Sequence, residues 1–323
     1  MSMLKSRETI LALAILALLA AIASRFPGFV APRNLARVLT DTSTLILLAL
    51  GQMAVILTKC IDLSVAANLA LCGMVAALMN GAGVPLPVIL LAVVLLGAAL
   101  GAVNGLLVWR LGIPSIVVTL GTMTIYRGSI FLMTGGAWIN AHQMSDAFKA
   151  FPRTVVLGLP VMAWIGLAGI AAMALLLTRT SLGRAFYAVG GNPHAAVYTG
   201  ISVGRTQCAA FVLSGALAGL TGYLWVARYA VAYVDIAAGF ELDVVAACVI
   251  GGIAIAGGAG SVAGAVMGAL FLGIIKNALP VVGISPFWQM AISGSAILLA
   301  IAFNAASRRD PGRIILKQAE HRT

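Results

Sequence analysis

The sequence predicts an all-α protein that crosses a membrane about ten times, and three observations lead to this fold class. Of the 323 residues, 62% are hydrophobic and only 9% are charged, and the mean hydropathy is +1.08. A soluble domain carries about 25% charged residues, so this composition excludes one. The apolar runs span roughly 17–25 residues, the length that a bilayer-crossing helix needs. They lack strand-like alternation and aromatic residues make up only 7%, which argues against barrel strands.

The predicted spans follow one another with short polar connections. In chain order they cover residues 9–24, 42–58, 63–79, 87–108, 114–134, 158–178, 206–227, 243–257, 261–279 and 287–306. Basic residues mark several ends, since Lys59 follows the second span, Arg110 the fourth and Arg179 the sixth. The span 243–257 is the shortest, and it runs into a glycine-rich stretch. No linker or soluble domain interrupts the series, so we expect one transmembrane domain over residues 1–323.

The N-terminus allows two interpretations. Lys5 and Arg7 precede an apolar stretch that ends in Ala21-Ile22-Ala23, which is also the pattern of a cleavable signal peptide. We favour an uncleaved first helix, because cleavage would leave Ser24 outside and change the number of crossings.

Basic residues predict the orientation, because they concentrate on the cytoplasmic side of membrane proteins. With the N-terminus inside, the inner residues are Lys5, Arg7, Lys59, Arg110, Arg179, Arg184, Arg205, Arg308, Arg309, Arg313, Lys317 and Arg322. The outer ones are Arg25, Arg33, Arg37, Lys149, Arg153, Arg228 and Lys276. The three arginines at 25–37 oppose this orientation, but the loop 179–205 and the basic tail 307–323 outweigh them. Both termini are therefore predicted to be cytoplasmic, and the net charge of +11 indicates contact with anionic membrane lipid and no nucleic-acid partner.

A polar segment interrupts the apolar sequence between residues 180 and 204. Asn192 is a good helix N-cap, Pro193 suits the first helical position, and Gly200 can end the helix. The Gly190-Gly191 pair in front of it is predicted to act as a hinge. A short capped helix on a cytoplasmic loop is typical of a docking element, whereas a bare linker needs no caps.

Six polar residues are predicted at membrane depth: Asp62, Ser64, Asn68, Arg127, Glu241 and Asp243. An ionisable group there costs a few kcal/mol, so we expect these residues to line or brace a polar path. Asp62 could instead cap the next helix, and Glu241 and Asp243 could lie in a first helical turn, where the dipole favours acids. Arg127 lies deeper and is predicted to face the path or an acidic partner.

Glycines at a spacing of four residues predict close helix packing, with helices that slide as the alternative. They are Gly97, Gly101 and Gly105, Gly215 and Gly219, and Gly260, Gly264 and Gly268. The glycines between residues 251 and 260 are denser than packing needs and predict a broken backbone between two short helices. Aligning Asp62 with Glu241 matches four of twelve positions, which would fit an internal duplication of about five helices.

No residue set for catalysis or metal binding is evident. Cysteines at 60, 72, 208 and 248 and histidines at 142, 194 and 321 are scattered, so we expect reduced core cysteines and no metal site. None of the lysines follows a glycine, which excludes a G-x-x-x-x-G-K-[ST] phosphate loop. The chain is predicted not to be an enzyme, and any ATP and Mg²⁺ would bind to another chain.

Three motifs carry a family resemblance. IDLSV at 61–65, VGGNPHAAVYTGISV at 189–203 and ELDVVAACVIGGIAIAGGAGSVAG at 241–264 resemble the permease subunits of bacterial monosaccharide ABC importers. The resemblance covers residues 10 to 306, and the segment 111–139 is most similar to the rhamnose and autoinducer-2 permeases. Cys60 and Ala66 depart from the family by replacing the glycines usual on either side of IDLSV, which bears on any close backbone approach at this bend.

The resemblance implies a permease domain of the type II importer fold in the bacterial inner membrane. Its expected partners are a second permease subunit, in a homo- or heterodimer, cytoplasmic ATP-binding subunits, and a periplasmic sugar-binding protein. The residues that match the expected coupling helix are Gly190, Gly191, Asn192, Pro193, His194, Ala195 and Ala196.

The expected solute is a monosaccharide or similar small polyol, with rhamnose or another deoxy or pentose sugar favoured and autoinducer 2 as the alternative. Two other classes remain open from the residues alone. A secondary transporter requires ionisable groups buried in mid-helix, where only Arg127 qualifies. A membrane enzyme requires clustered catalytic residues, which the sequence lacks.

Overall fold

The structure, a computed structural model, describes residues 7–283 together with residues 288, 291, 294 and 295. Its α-helices in chain order are α1 (Arg7–Arg25), α2 (Pro32–Leu57), α3 (Val65–Gly81), α4 (Leu86–Leu111), α5 (Ser115–Thr134), α6 (Asp146–Ala150), α7 (Val161–Arg179), α8 (Ser181–Gly191), α9 (Pro193–Tyr198), α10 (Val203–Tyr229), α11 (Phe240–Ile250) and α12 (Val262–Val281). The strands in this part of the chain are β1 (Ile139–Asn140), β2 (Val155–Val156), β3 (Leu159–Pro160) and β4 (Val231–Ala232). They form the antiparallel pairs β1–β4 and β2–β3.

The first nine predicted spans each coincide with a helix, which confirms a polytopic all-α membrane protein. Within the described residues, seven helices are long and apolar enough to cross a membrane, and α3 is a shorter apolar helix of 17 residues. The predicted tenth span, 287–306, lies outside the described residues apart from four single positions, and the basic tail 307–323 lies wholly outside them.

The prediction for 243–257 was wrong at its C-terminal end, because α11 ends at Ile250. The predicted break in the backbone is confirmed after that residue. Gly252, Gly257 and Gly258 have φ values of 82°, 81° and 73°, which only glycine adopts without strain. The chain therefore leaves the helical conformation at Gly251 and resumes it in α12.

Helix α2 forms the centre of the bundle. Every residue from Thr42 to Leu57 is buried, and α10, α12, α7 and α11 pack around it. Such an all-round apolar helix is stable only where other helices surround it completely. Of the remaining long helices, α4 packs on α10 and α5 packs on α3, and both leave apolar side chains outward, including Leu91 on α4 and Ile125 on α5.

The predicted glycine contacts pack α4 against α10. A Cβ atom added at Gly97 would lie 2.2 Å from the Gly215 carbonyl oxygen, and one added at Gly101 would lie 2.1 Å from that of Phe211. Since real Cβ atoms do not approach so closely, any side chain at these glycines would force the helices apart. Small residues thus allow the direct backbone contact that drives helix association in lipid.

The two ends of the bundle separate the basic residues as predicted. We call the end of the bundle that carries loop 179–205 the island end. At this end, Gly204 at the start of α10 contacts Trp109 near the end of α4. Arg205 lies 5.9 Å from the same tryptophan ring. At the opposite end, Arg228 at the end of α10 pairs with Asp41, and Lys276 near the end of α12 pairs with Asp243.

The internal duplication stays a prediction. The segment at Asp62 follows the C-terminus of α2 at the island end, whereas Glu241 begins α11 at the opposite end. Opposite placement of two related segments is what repeats of inverted topology require.

Candidate functional site

The predicted short helix is present at the island end as α9. Asn192 is its N-cap, and its Oδ1 atom accepts a hydrogen bond of 3.1 Å from the Ala195 amide. Pro193 occupies the first helical position, and Gly200, with φ of 81°, follows the C-cap Thr199. The local sequence therefore defines both ends of α9 without help from the rest of the fold.

Two apolar side chains of α9 point away from the protein. Tyr198 is 92% exposed and Val197 is 59% exposed, whereas Ala196 is buried against the bundle. An exposed tyrosine beside an exposed valine, on a helix already held by its caps, is suited to contact another chain. Neither residue was predicted individually from the sequence, although both lie in the motif 189–203.

The predicted hinge at Gly190 and Gly191 was wrong, because both residues belong to the last turn of α8. Gly190 is buried at a close backbone contact, where an added Cβ atom would lie 1.7 Å from the Leu57 carbonyl oxygen. Glycine is required there for close approach, and the backbone stays helical.

Helix α8 attaches α9 to the bundle. The Tyr187 hydroxyl donates a hydrogen bond of 2.9 Å to the Gly260 carbonyl in the α11–α12 loop, and burial raises the pKa of this hydroxyl above its ordinary value. The Thr180 hydroxyl caps the start of α8 by accepting from the Gly183 amide at 3.1 Å. Helix α9 thus rests on a second helix that touches both α2 and the α11–α12 loop.

Three of the predicted path residues are buried at the start of α3, where Asp62 and Ser64 form a polar cluster. Asp62 Oδ1 accepts hydrogen bonds from the Ser64 amide at 2.9 Å and from its hydroxyl at 2.6 Å. Asn68, one turn into α3, donates to the Gly97 carbonyl at 3.2 Å. Asp62 does not cap α3, since its carboxylate closes a turn before the helix begins and Ser64 holds the N-cap position. Cys60 and Ala66 are buried at this bend, which therefore closes without the glycines usual in the family.

Polar residues of three other helices complete this cluster. Asn104 of α4 donates to the Ser64 hydroxyl at 2.8 Å. The Gln52 amide, in the orientation that satisfies both groups, bonds to the backbone carbonyl and amide of Asp62 at 3.1 and 3.2 Å. Asn104 Oδ1 and the Ser214 hydroxyl have no hydrogen-bond partner among the described residues. Gln52, Asn104 and Ser214 were not predicted to be site residues, although each is a polar residue inside a predicted span.

Arg127 lies apart from the Asp62 cluster and binds a backbone segment. Its Nη1 atom donates to the carbonyl oxygens of Val234 and Ile236 at 2.5 and 2.7 Å. The guanidinium group therefore supports the segment between β4 and α11.

The two acids of α11 lie in its first turn, as the alternative interpretation predicted. Asp243 is buried and forms an ion pair with Lys276 of α12, while Glu241 is half-buried. The structure thus divides the six predicted path residues among three places: the Asp62 cluster, the Arg127 contact and the first turn of α11.

Cysteines and histidines form no site in the described part of the chain. The four cysteines are free thiols, and no group of three or more metal-binding side chains occurs among the described residues.

A helical bundle of this apolarity, with seven helices long and apolar enough to cross a membrane among the described residues, defines a polytopic membrane protein. A family model described as "Branched-chain amino acid transport system / permease component" matches residues 34–301. The chain belongs to this family of permeases, and the predicted permease resemblance is confirmed.

Curated relatives match along nearly the whole chain. The "Autoinducer 2 import system permease protein LsrC" of Enterobacter sp. (strain 638) is 37% identical over 308 residues, which cover 95% of this chain and 89% of the relative. The protein of the same description from Shigella flexneri is 37% identical over 287 residues, with 87% and 83% coverage. That from Salmonella typhi is 36% identical over 303 residues, with 94% and 87% coverage. No solved structure matches the chain.

Proposed function

We propose that this chain is the transmembrane permease subunit of an ATP-driven importer for autoinducer 2 or a closely related small polyhydroxylated solute. The identity of 37% over 95% of the chain to a relative described as an autoinducer 2 import permease supports this solute. None of these relatives is described as a rhamnose permease. Autoinducer 2, the alternative solute predicted from the sequence, therefore replaces rhamnose in this proposal.

ATP and Mg²⁺ bind to partner subunits in this proposal, because the sequence contains no phosphate loop. The complex contains a second permease subunit, two cytoplasmic ATP-binding subunits and a periplasmic solute-binding protein. The island end and both termini face the cytoplasm in the bacterial inner membrane. The basic residues of loop 179–205 support this orientation.

The observation that carries the coupling part of the proposal is the exposure of Tyr198 and Val197 on a helix with two defined caps. We assign residues 190–196 as the element that joins the ATP-binding subunit to the membrane helices, with Tyr198 and Val197 as additional contacts. Helix α8 then transmits closure of the ATP-binding subunits to α2 and to the α11–α12 loop.

The path for the solute runs along the polar residues of the bundle. Asp62, Ser64 and Asn68 brace the packing of α3 against α4 beside this path. Arg127 supports the 230–239 segment at the opposite end, and Glu241 and Asp243 stabilise the start of α11 there. The direct hydrogen bonds of Asp62, Ser64 and Arg127 support bracing over direct contact with solute.

The experiment is uptake of radiolabelled autoinducer 2 into proteoliposomes that contain this chain, its ATP-binding subunits and its binding protein. We expect uptake only when ATP is supplied on the side of the membrane that carries the ATP-binding subunits. Uptake should also require binding protein on the opposite side. Uptake that follows an imposed proton or sodium gradient without ATP would establish a secondary transporter and overturn the proposal.

A further inference from the structure

A cavity of about 250 Å³ opens at the opposite end of the bundle, away from the Asp62 cluster. Residues of helices α2, α10, α11 and α12 line it, among them the buried Thr42, Thr44 and Leu45 of α2. Pockets for drug-sized ligands measure about 300–1,000 Å³, so this cavity fits a smaller molecule such as a single sugar ring.

Charged residues of the cavity wall are already paired within the protein. Asp41 accepts hydrogen bonds from Arg228 Nη2 at 2.7 Å and from Arg228 Nε at 3.1 Å. Lys276 forms an ion pair with Asp243 behind the wall. A charged ligand would have to separate one of these half-buried ion pairs, which is costly. A neutral ligand can instead form hydrogen bonds with the lone pairs and protons that the paired side chains leave unused.

The amide of Asn277 adds a polar group without charge. Its Nδ2 atom donates to the Gly273 carbonyl at 2.9 Å, within the same helix. This bond orients the amide of Asn277, a residue that lines the cavity and whose Oδ1 atom can accept a hydrogen bond. Hydroxyl groups of a ligand are matching donors.

Aromatic rings form the other wall. Trp225 meets Phe240 edge to face at 5.0 Å between ring centroids and lies 5.1 Å from Tyr229. The Lys276 ammonium lies 5.1 Å from the centre of the Phe240 ring. Rings fixed by one another in this way offer a rigid apolar surface, against which the carbon–hydrogen face of a sugar can pack at low entropic cost.

We propose that this cavity is a binding site for a neutral, polyhydroxylated solute of monosaccharide size. Hydroxyl groups bind to Asn277, Asp41 and Lys276, while the ring of the solute packs against Trp225. In the proposed importer, on which this inference rests, the site lies on the side from which the solute enters. It receives the solute before the solute reaches the depth of the Asp62 cluster.

The test is direct binding to the purified permease in detergent, without binding protein or ATP-binding subunits. Equilibrium dialysis with radiolabelled autoinducer 2, D-ribose and L-rhamnose gives the affinities, and D-glucuronate serves as an anionic probe of similar size. We expect Asn277→Leu to weaken binding of the neutral solutes about tenfold, because it removes a hydrogen-bonding group of similar shape. D-glucuronate is expected to bind more weakly than the neutral probes.

Matched variants separate this site from a general effect on the fold. Tyr229→Phe removes a hydroxyl group from a residue of the cavity wall and should alter the affinity for the neutral solutes. Tyr233→Phe removes the same group at the same end of the bundle, where the ring stacks on Trp138 at 4.4 Å. This second variant should leave the affinity unchanged. Equal affinities for wild type, Asn277→Leu and Trp225→Leu would overturn the site, as would tighter binding of D-glucuronate.

ATP-dependent uptake by the complex tests the proposed importer independently of the cavity site. ATP-dependent uptake by the wild-type complex with unchanged solute affinity in the cavity variants refutes the site and leaves the proposed function standing. If solute binding to the permease depends on Asn277 but the complex imports no solute with ATP, the proposed function is refuted and the site is supported.

Discussion

Gly190 and Gly258 meet backbone to backbone at the island end. A Cβ atom added to Gly190 would lie 2.3 Å from the Gly258 amide nitrogen, and this amide donates to the Leu57 carbonyl at 3.0 Å. The end of α8, the end of α2 and the α11–α12 loop therefore share one contact, and any displacement of α8 has to move the other two.

The first prediction concerns this contact. Gly190→Ala should abolish solute-stimulated ATP hydrolysis and lower the midpoint of thermal unfolding, because the added methyl group would lie 1.7 Å from the Leu57 carbonyl oxygen. Overpacking of this kind costs about 1–3 kcal/mol. Gly121→Ala on α5 is the control, since it lies outside the assigned coupling element and its Cβ atom would meet no described atom within 4 Å. Equal ATPase rates and unfolding midpoints for the two variants would contradict the assigned contact.

The second prediction concerns the exposed face of α9. Tyr198→Ser should weaken assembly with the ATP-binding subunits and lower coupled ATP hydrolysis, while the permease alone unfolds at the wild-type temperature, because the side chain is 92% exposed. Leu157→Ser, which removes an apolar side chain that is 89% exposed in the β2–β3 turn, is the control at the opposite end. Co-purification of the ATP-binding subunits measures assembly. Wild-type co-purification with Tyr198→Ser would exclude this face as the contact.

The third prediction concerns the helical structure of α9 and its N-cap. Ala196→Pro should abolish solute-stimulated ATP hydrolysis and uptake, because proline removes the hydrogen bond of 3.0 Å from the Ala196 amide to the Asn192 carbonyl and clashes one turn back. Asn192→Ala should have a weaker effect, about 1 kcal/mol of local helix stability from the lost cap. The measurement is ATPase activity of the complex in lipid with solute-loaded binding protein. Full stimulation of the Ala196→Pro complex would rule out α9 as the coupling element.

The fourth prediction concerns Arg127. Arg127→Leu leaves the carbonyl groups of Val234 and Ile236 without this donor, so the segment before α11 should loosen and uptake should fall. The protein should still reach the membrane, because the substitution makes the span more apolar. Immunoblots of membrane fractions check the amount, and uptake rates normalised to that amount check the effect. Normal uptake would mean that this support is dispensable.

The fifth prediction contrasts two serines of the buried cluster. Ser64→Ala should destabilise the permease by about 1–3 kcal/mol, because the Asp62 carboxylate loses a donor and Asn104 loses an acceptor. Ser214→Ala should cost less stability than Ser64→Ala, because Ser64 both donates to Asp62 and accepts from Asn104, whereas the Ser214 hydroxyl interacts with the Asp62 carboxylate alone. Thermal unfolding of both purified variants gives the two losses. A larger loss for Ser214→Ala than for Ser64→Ala would contradict the described hydrogen bonds.

Much of the fold could be predicted from local sequence. The spans follow from runs of apolar residues, and α9 follows from Asn192, Pro193 and Gly200, whose effects act within one or two turns. The break after α11 follows from glycines that favour positive φ. The hinge at Gly190 was a wrong prediction because a glycine serves close approach as readily as flexibility, and only the neighbouring backbone distinguishes the two roles.

The sequence by itself determined the class of the protein, the order of its long apolar helices and the short capped helix α9, because hydrophobicity and capping depend on residues close together in the chain. The tertiary structure decided which polar residues meet. Asn104 reaches Ser64 across 40 positions and Arg228 reaches Asp41 across 187, and no local pattern specifies such a pair. Which helix faces meet depends on packing across the whole bundle, where the glycines of α4 and α10 set how closely the backbones approach.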